Sequence, residues 1–210
     1  MKRNRAFVSP DEILNVSSNS GSIIDKWKNP LTVTDVDVVK EGELRSMKFN
    51  SLTSGIDCGI INDLSTDITV LTWINPKSFG ENNAGHIISA DVDKFNLLVT
   101  SGDDRIGFTR DTANHAYTAN DSVIVNKPIF IAVTSTAAGA TNMYINAELS
   151  GSADQAAGSC SVDTNIFIGN RSSDDRSFDG LISEPRIIEG ILTVNEISQA
   201  FSSERKLYRV

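Results

Sequence analysis

The stretch at residues 67–74, DITVLTWI, decides the fold because it is nearly continuous in apolar and threonine side chains. A strand that is buried on both faces has this composition, whereas a strand with one face in water alternates apolar and polar residues. Further short runs rich in β-branched residues lie beyond it, separated by turn sequences such as SGDD at 101–104 and AGA at 138–140. Many short strands between such turns are typical of a sandwich or barrel.

From residue 44 onward this pattern predicts strands at 44–49, 54–58, 67–74, 85–89, 96–100, 105–109, 129–134, 142–145, 165–168 and 181–187. One helix is predicted near the C-terminus, because Thr193 and Glu196 form a capping box. Ile197, Ala200 and Phe201 then form one apolar stripe. The predicted fold class is all-β: a two-sheet antiparallel jelly-roll sandwich with one short C-terminal helix and an N-terminal arm. Trp73 is expected to fill the core near the middle of the inner sheet.

The first 43 residues differ from the rest of the chain. Residues 15–22, NVSSNSGS, are polar and rich in turn formers. Residues 31–39, LTVTDVDVV, alternate apolar and polar side chains, which predicts a strand with one buried face. We predict that residues 1–43 are an N-terminal arm that partly joins the sandwich, and that residues 44–210 are the domain itself.

The charge of the chain excludes some partners. It has 27 acidic and 19 basic residues, giving a net charge of −8. Proteins bind nucleic acid through clustered Lys and Arg, so this partner is not expected. No stretch approaches the roughly 20 apolar residues of a membrane span. The basic start is followed by polar residues instead of an apolar segment, which predicts no signal peptide and synthesis in a cytoplasm.

The two cysteines, Cys58 and Cys160, lack the spacing of a metal site. A single bridge between them is one prediction, and two buried free thiols are the favoured one.

Several motifs resemble a known family when they are taken in order. They are LRSMKFN at 44–50, GIDCG at 55–59, ITVLTWINP at 68–76, PIFIAV at 128–133, MYINAEL at 143–149, IFIGN at 166–170 and FDGLISEPRI at 178–187. Their order and spacing resemble a laminin G-like domain of the concanavalin A-like lectin/glucanase superfamily, over residues 44–208. Two departures are Ala147, where the family commonly has Gly, and 128–133, which lacks the usual aromatic residue and histidine. The resemblance extends to laminin G-like domains in phage structural proteins.

Some of the matched positions have predicted structural roles. Gly180 stands where a positive φ or a close backbone approach favours a residue without Cβ. Glu184 and Arg186 are two residues apart, so a regular strand places them on one face, where they are expected to join a cross-strand charge pair.

The sequence lacks the catalytic patterns that the family's enzymes carry. Laminarinase-type glucanases have Glu-x-Asp-x-x-Glu on one strand, and no glutamate here has Asp two residues later. The only histidines are His86 and His115, and no Gly-x-Ser-x-Gly sequence is present. We therefore predict that the protein is not an enzyme, with a glycoside hydrolase as a remote alternative.

Two groups of residues are candidates for binding. Asp91, Asp93, Asp103 and Asp104 lie in neighbouring loops, and their carboxylates suit calcium if the loops converge. Solvated turn residues are the alternative explanation for these aspartates. The second group is Asn114, His115 and Tyr117, which offers an aromatic ring and polar groups for a glycan.

Two functions from different classes follow. The first is implied by the resemblance to phage structural proteins, together with the predicted arm and the absence of a signal peptide: a virion decoration or surface protein made in the host cytoplasm. It assembles on neighbouring subunits through the N-terminal arm, with a homo-oligomer as one form, and contacts glycans. The alternative is a free, extracellular lectin-like module that binds carbohydrate with calcium as cofactor.

Overall fold

The computed structural model describes residues 12–19, 22–25, 30–41, 44–60, 64–90, 94–110, 115–155 and 165–208. The strands are β1 (Glu12–Asn19), β2 (Ser22–Asp25), β3 (Thr32–Thr34), β4 (Asp37–Glu41), β5 (Leu44–Phe49), β6 (Gly55–Ile60), β7 (Ile68–Pro76), β8 (His86–Ala90), β9 (Phe95–Thr100), β10 (Arg105–Thr109), β11 (Ala116–Tyr117), β12 (Ile129–Ser135), β13 (Ala140–Ile145), β14 (Glu148–Asp154), β15 (Asn165–Ile168) and β16 (Gly180–Glu189). A 3₁₀ turn spans Glu81–Asn83, and helix α1 spans Val194–Tyr208.

The strands form two antiparallel sheets, which confirms the predicted sandwich. The nine-stranded sheet has the order β14-β13-β12-β7-β16-β1-β2, and β5 also pairs with β16 and with β4. The seven-stranded sheet has the order β11-β10-β9-β8-β15-β6-β3. Among the described residues, no helix has the length and hydropathy needed to cross a bilayer.

The main core lies between the two sheets. Val70 and Ile131 of the nine-stranded sheet belong to the same buried cluster as Ile88, Leu97 and Phe108 of the seven-stranded sheet. Each of these side chains is almost completely removed from water, and burial of this kind is the main stabilising contribution to the fold.

A second core lies on the other side of the nine-stranded sheet, beneath helix α1. Its members are Leu71, Trp73, Phe130, Ala132, Tyr144, Ile188, Leu192, Ile197 and Ala200. Strand β7 is therefore buried on both faces, as its composition predicts. Trp73 is buried, but between sheet and helix instead of between the sheets. Its ring stacks on Tyr208 with centroids 3.9 Å apart.

Helix α1 begins with the predicted capping box and is anchored by a buried ion pair. The backbone N–H of Thr193 donates to Glu196 Oε2 (2.7 Å), and the N–H of Glu196 donates to Thr193 Oγ1 (3.3 Å). Further along, Glu204 pairs with Arg186 of β16 (2.9 Å) and accepts from Trp73 Nε1 (2.8 Å). Burial raises the pKa of the Glu204 carboxyl, although Arg186 acts in the opposite direction.

A bulge in β16 overturns one expectation. Ser183 pairs with Trp73 and Arg186 pairs with Leu71, so β16 carries one extra residue at this point. Glu184 takes a φ of 46° and is exposed, whereas Arg186 faces helix α1 and is buried. The ion-pair partner of Arg186 is therefore Glu204 of the helix.

The positive φ predicted at Gly180 is confirmed. Its φ is 139°, and a Cβ there would lie 2.3 Å from the carbonyl oxygen of Asn75. Any other residue would clash with the backbone of β7.

The residues before 44 contribute to both sheets. Strand β1 pairs with β16, and its Leu14 and Val16 are completely buried. The prediction of a single strand at 31–39 is wrong, because a bend at Asp35, whose φ is 49°, divides this segment into β3 and β4. Strand β3 before the break has every residue exposed and joins the seven-stranded sheet, while β4 joins the other. The domain boundary at residue 44 stays a prediction.

Cys58 is free and buried, as favoured from the sequence, and Cys160 lies outside the described residues. Burial raises the pKa of the Cys58 thiol well above its usual value, so this thiol is unreactive.

Candidate binding face of the seven-stranded sheet

The outer face of the seven-stranded sheet, which points away from the main core, carries polar and aromatic side chains. In β9 and β10, Phe95, Leu97, Val99, Ile106 and Phe108 belong to the core between the sheets. Since side chains alternate along a strand, Asn96, Leu98, Arg105 and Gly107 point outward. This face is the counterpart of the one that helix α1 covers on the other sheet.

Four strands align their outward residues in one row. His86 pairs with Leu98, Leu98 with Gly107, and Gly107 with Tyr117. Directly paired residues share a face, so this row runs across β8, β9, β10 and β11. Three spacings between strands give it a length of about 14 Å.

One end of the row is a cluster of His115, Tyr117 and Arg105, here called the aromatic end. The Tyr117 ring lies over Gly107, where a Cβ would come within 3.1 Å of its Cε1 atom. A larger residue at position 107 would therefore push the Tyr117 ring away from the strand. The Arg105 guanidinium carbon is 3.9 Å from the centre of the Tyr117 ring, and the His115 ring lies 5.7 Å away at 20°. His115 and Tyr117 are both exposed.

The aromatic end is held in place by a bonded loop. Arg105 pairs with Asp103 (2.9 Å) and donates to Asn120 Oδ1 (3.3 Å). The loop after β11 is tied to the same turn, since the N–H of Asp121 donates to the carbonyl of Asp103 (2.9 Å). The positions of Arg105 and Tyr117 are thus fixed before any ligand arrives.

The other end of the row is buried and polar. His86 has an exposed fraction of 4%, and its backbone N–H donates to the carbonyl of Arg176 (2.9 Å). Burial lowers the pKa of His86 from 6.5 to about 3, and the charges of Arg171 and Arg176 contribute in the same direction. The imidazole is therefore neutral at ordinary pH. The charge of His115 makes a smaller contribution that also lowers the pKa of His86.

The loop after β15 lies beside His86. Asn170 accepts from the hydroxyl of Ser89 through its carbonyl oxygen (2.8 Å). Its Oδ1 accepts from the N–H groups of Arg171 (2.9 Å) and Arg176 (3.2 Å). Asp175 binds Arg171 through both carboxylate oxygens, which holds the pKa of Asp175 well below its usual range. We call the cluster of His86, Ser89, Asn96 and Asn170 the histidine end.

The structure brings together part of the predicted glycan site. His115 and Tyr117 stack on each other, whereas Asn114 lies outside the described residues. Arg105 and His86 complete the row but were not singled out from the sequence. Alternation in 105–109 signals that Arg105 and Gly107 share a face, but the pairing that brings Tyr117 beside them has no signal in the sequence.

The predicted calcium ligands are only partly described. Asp91 and Asp93 lie outside the described residues. Asp103 is paired with Arg105, and Asp104 occupies a turn with a φ of 48°. Within the described part of the chain, no three His, Cys, Asp or Glu side chains gather as metal ligands would. Calcium binding stays a prediction.

The chain is similar to several solved binding domains. The binding domain of Paraclostridial Mosquitocidal Protein 1 superposes with a TM-score of 0.73 at 17% identity, covering 92% of this chain and 52% of that one. The binding domain of botulinum neurotoxin DC, in complex with SialylT, gives 0.71 at 13% identity, with 92% and 52% covered. The same domain in complex with rat synaptotagmin II gives 0.72 at 15%, with 93% and 52% covered. The chain thus spans about half the length of these domains.

The family follows from the sequence match. No curated protein matches the chain. Residues 51–198, more than half of the chain, match the family model described as the concanavalin A-like lectin/glucanases superfamily. This confirms the resemblance drawn from the motifs, while the likeness to phage proteins stays a prediction. The chain belongs to the concanavalin A-like lectin/glucanases superfamily.

Proposed function

We propose that the protein is a non-catalytic binding module whose aromatic end contacts a glycan or a protein surface. The observation that carries this proposal is the cluster of the exposed Tyr117 and His115 rings with the half-buried Arg105, which is held by Asp103 and Asn120. Tyrosine and arginine dominate the binding energy of interfaces. A cluster that is already ordered loses little conformational entropy when it binds.

The structural neighbours support binding as the general class of function. Their names describe binding domains, with SialylT in one complex and rat synaptotagmin II in another. They therefore support a glycan and a protein as partner classes. Each is about twice as long as the matched chain, so their particular ligands are not assigned to this protein.

The absence of catalytic activity is supported by the sequence. No glutamate has an aspartate two residues later, so the carboxylate set of laminarinase-type relatives cannot form on one strand.

The proposal is tested with a glycan array and with binding of labelled protein to cells treated with glycosidases or proteases. Tyr117→Ala and Arg105→Ala should each weaken binding about tenfold or more, as expected for central interface residues. Arg205→Ala is the matched control, since Arg205 lies over the Phe201 ring on the helix side (5.9 Å). If Tyr117→Ala and Arg105→Ala bound as tightly as the control Arg205→Ala, the proposal would be refuted. Parallel arms with calcium and with a chelator test the predicted cofactor.

The virion role and location are kept as a second proposal, with assembly through residues 1–43. Part of this segment already belongs to the sandwich of the same chain, since β1 pairs with β16 and its Leu14 and Val16 are buried. Sedimentation of the full chain, with and without changes at exposed β3 residues such as Val33, tests whether the segment joins subunits.

A further inference from the structure

Tyr117 of the aromatic end lies against two glycines that belong to different sheets. Its ring lies over Gly107 of β10. Its backbone lies against Gly151 of β14, the edge strand of the nine-stranded sheet. A Cβ at position 151 would clash with the carbonyl oxygen of Tyr117 and would lie 3.2 Å from the Cα of Thr118. Because these are backbone atoms, rotating a side chain cannot relieve the clash, and the segment around Tyr117 would have to move.

A bulge in β14 bonds this strand to the segment that follows Tyr117. The pairing of β14 with β13 shifts between Leu149 and Gly151, so Ser150 is an extra residue of β14. The carbonyl oxygen of Ser150 accepts the N–H of Ala119 (2.9 Å), and its hydroxyl oxygen lies 3.1 Å from the same nitrogen. The chain just after Tyr117 is therefore attached to the nine-stranded sheet.

Thr118, the residue in between, is attached to the other sheet. Its N–H donates to the carbonyl of Ile106 (3.0 Å), and its Oγ1 accepts the N–H of Ile106 (2.9 Å). Residues 117–119 thus cross from β10 to β14 and are bonded to both strands. The position of the Tyr117 ring depends on both sheets, although the contacts at Gly151 are with backbone atoms only.

We propose that Gly151 is a positioning residue for partner binding, because the bulged part of β14 sets the course of residues 117–119 and thereby holds the Tyr117 ring in place. The inference rests on the proposed function and extends the site to a strand of the other sheet. The Arg105 guanidinium carbon is 3.9 Å from the centre of the Tyr117 ring. A displaced ring loses this contact, and the cluster then has to be ordered again when a partner binds.

A positioning role differs from a structural one in its effect on affinity. Gly151→Ala should weaken partner binding about tenfold, as Tyr117→Ala does. Since both changes act through the same ring, the double variant should bind no more weakly than Tyr117→Ala alone. A glycine with a structural role only would lower the melting temperature and leave the affinity of the folded protein unchanged.

The first readout is the position of the ring, and it needs no partner. The ring current of Tyr117 shifts the Hα resonances of Gly107 upfield, so a ¹H–¹³C NMR spectrum reports whether the ring lies over this residue. Gly151→Ala should remove most of the upfield shift that Tyr117→Ala removes. Gly55→Ala is the matched control, because a Cβ there is also crowded, 3.1 Å from Asn170 Cβ, but lies in β6, five strands from β11.

The second readout is binding to immobilised fetuin, a glycoprotein that presents glycan and protein together, and to untreated cells. Gly151→Ala and Tyr117→Ala should weaken binding to the surface that the wild type recognises, whereas Gly55→Ala should bind as the wild type does. Melting temperatures of all variants separate loss of fold from loss of affinity.

The contrary outcomes are distinct. Unchanged Gly107 resonances in folded Gly151→Ala overturn the inference, as does unchanged binding when Tyr117→Ala weakens it. If Gly151→Ala does not fold, Ala119→Pro takes its place, since proline removes the N–H that Ser150 accepts; unchanged Gly107 resonances in that variant also refute the inference. If the wild type binds neither fetuin nor cells, the proposed function fails, while the Gly107 resonances still decide whether β14 positions the ring.

Discussion

The outer faces of the two sheets differ in what covers them. On the nine-stranded sheet, the outward residues are apolar, for example Leu71 and Phe130, and the chain covers them with its own helix. The buried charges there are paired across the interface, since Glu204 contacts both Arg186 and Trp73, although Arg186 Nε makes no hydrogen bond among the described residues. On the seven-stranded sheet, the outward residues include polar and aromatic side chains beside Leu98 and Gly107, and several polar atoms lack hydrogen-bond partners among the described residues.

This difference separates stability from function. Strand alternation alone produces two faces on each sheet, and only an apolar face gains from burial. The chain uses its one described helix on the apolar face. The polar face contributes less to stability, and its ordered rings and unpartnered atoms are suited to a ligand. Changes on the helix side should therefore affect folding, and changes on the other side should affect binding.

The largest expected effect is on the helix side. Glu204→Ala leaves Arg186 charged and buried without its partner, so the free energy of unfolding should fall by about 3–5 kcal/mol. Urea denaturation measures this, and Glu189→Ala, an exposed change in the neighbouring strand, should cost less than about 0.5 kcal/mol. A small effect of Glu204→Ala would mean that the buried ion pair does not anchor the helix.

The next effect concerns pH and the buried histidine. In the folded state the pKa of His86 is about 3, against 6.5 for an ordinary histidine. The unfolded chain therefore binds a proton first as the pH falls below 6.5, and the stability present above that pH is lost progressively. The free energy of unfolding should fall by up to about 1.4 kcal/mol per pH unit from this group.

Denaturation between about pH 7.5 and 5 measures this slope, in a range above the ordinary pKa values of carboxylates, while the raised pKa of Glu204 acts with the opposite sign. His86→Leu should remove most of it, while His115→Ala should retain it because His115 is exposed. If His115→Ala flattened the slope and His86→Leu did not, the assignment of the neutral histidine to the histidine end would be wrong.

The smallest effect is at a hairpin beside the helix-side core. Ala147 has a φ of 67° in the turn between β13 and β14, where Gly avoids the steric cost. Ala147→Gly should raise the free energy of unfolding by about 0.5–1 kcal/mol. Ala140→Gly, in regular strand, should lower it by a similar amount. If the free energy of unfolding fell in both variants, packing of the Ala147 methyl group would outweigh the strain of its positive φ.

The elements that the sequence predicts well are those with local signals. Continuous apolar character in 67–74 predicts a strand buried on both faces, and Thr193 with Glu196 predicts the start of the helix. These features depend on side chains that are close in sequence. The same pattern predicts that Trp73 is buried. It does not predict that Trp73 lies between the sheet and helix α1, because its partner Glu204 is 131 residues away in the sequence.

The features that the sequence does not predict depend on pairing or on unusual backbone angles. The bulge that precedes Arg186, which faces helix α1, includes a positive φ at Glu184, and glutamate rarely adopts such a φ. The break at Asp35 divides an alternating run between two sheets. His86 shows no sign of its role in the sequence, because the loop that surrounds it begins more than 80 residues later, at Asn170.

The most direct test of the central claim maps the contact surface of a bound partner. Amide chemical shifts in a ¹H–¹⁵N NMR titration, with the strongest glycan or protein ligand, report which residues a ligand touches. We predict that shifts concentrate in β8 to β11, at His86, Leu98, Gly107 and Tyr117, with helix α1 unchanged. Shifts concentrated in helix α1 or β14, with the row unaffected, would contradict the assignment of the seven-stranded sheet as the binding face.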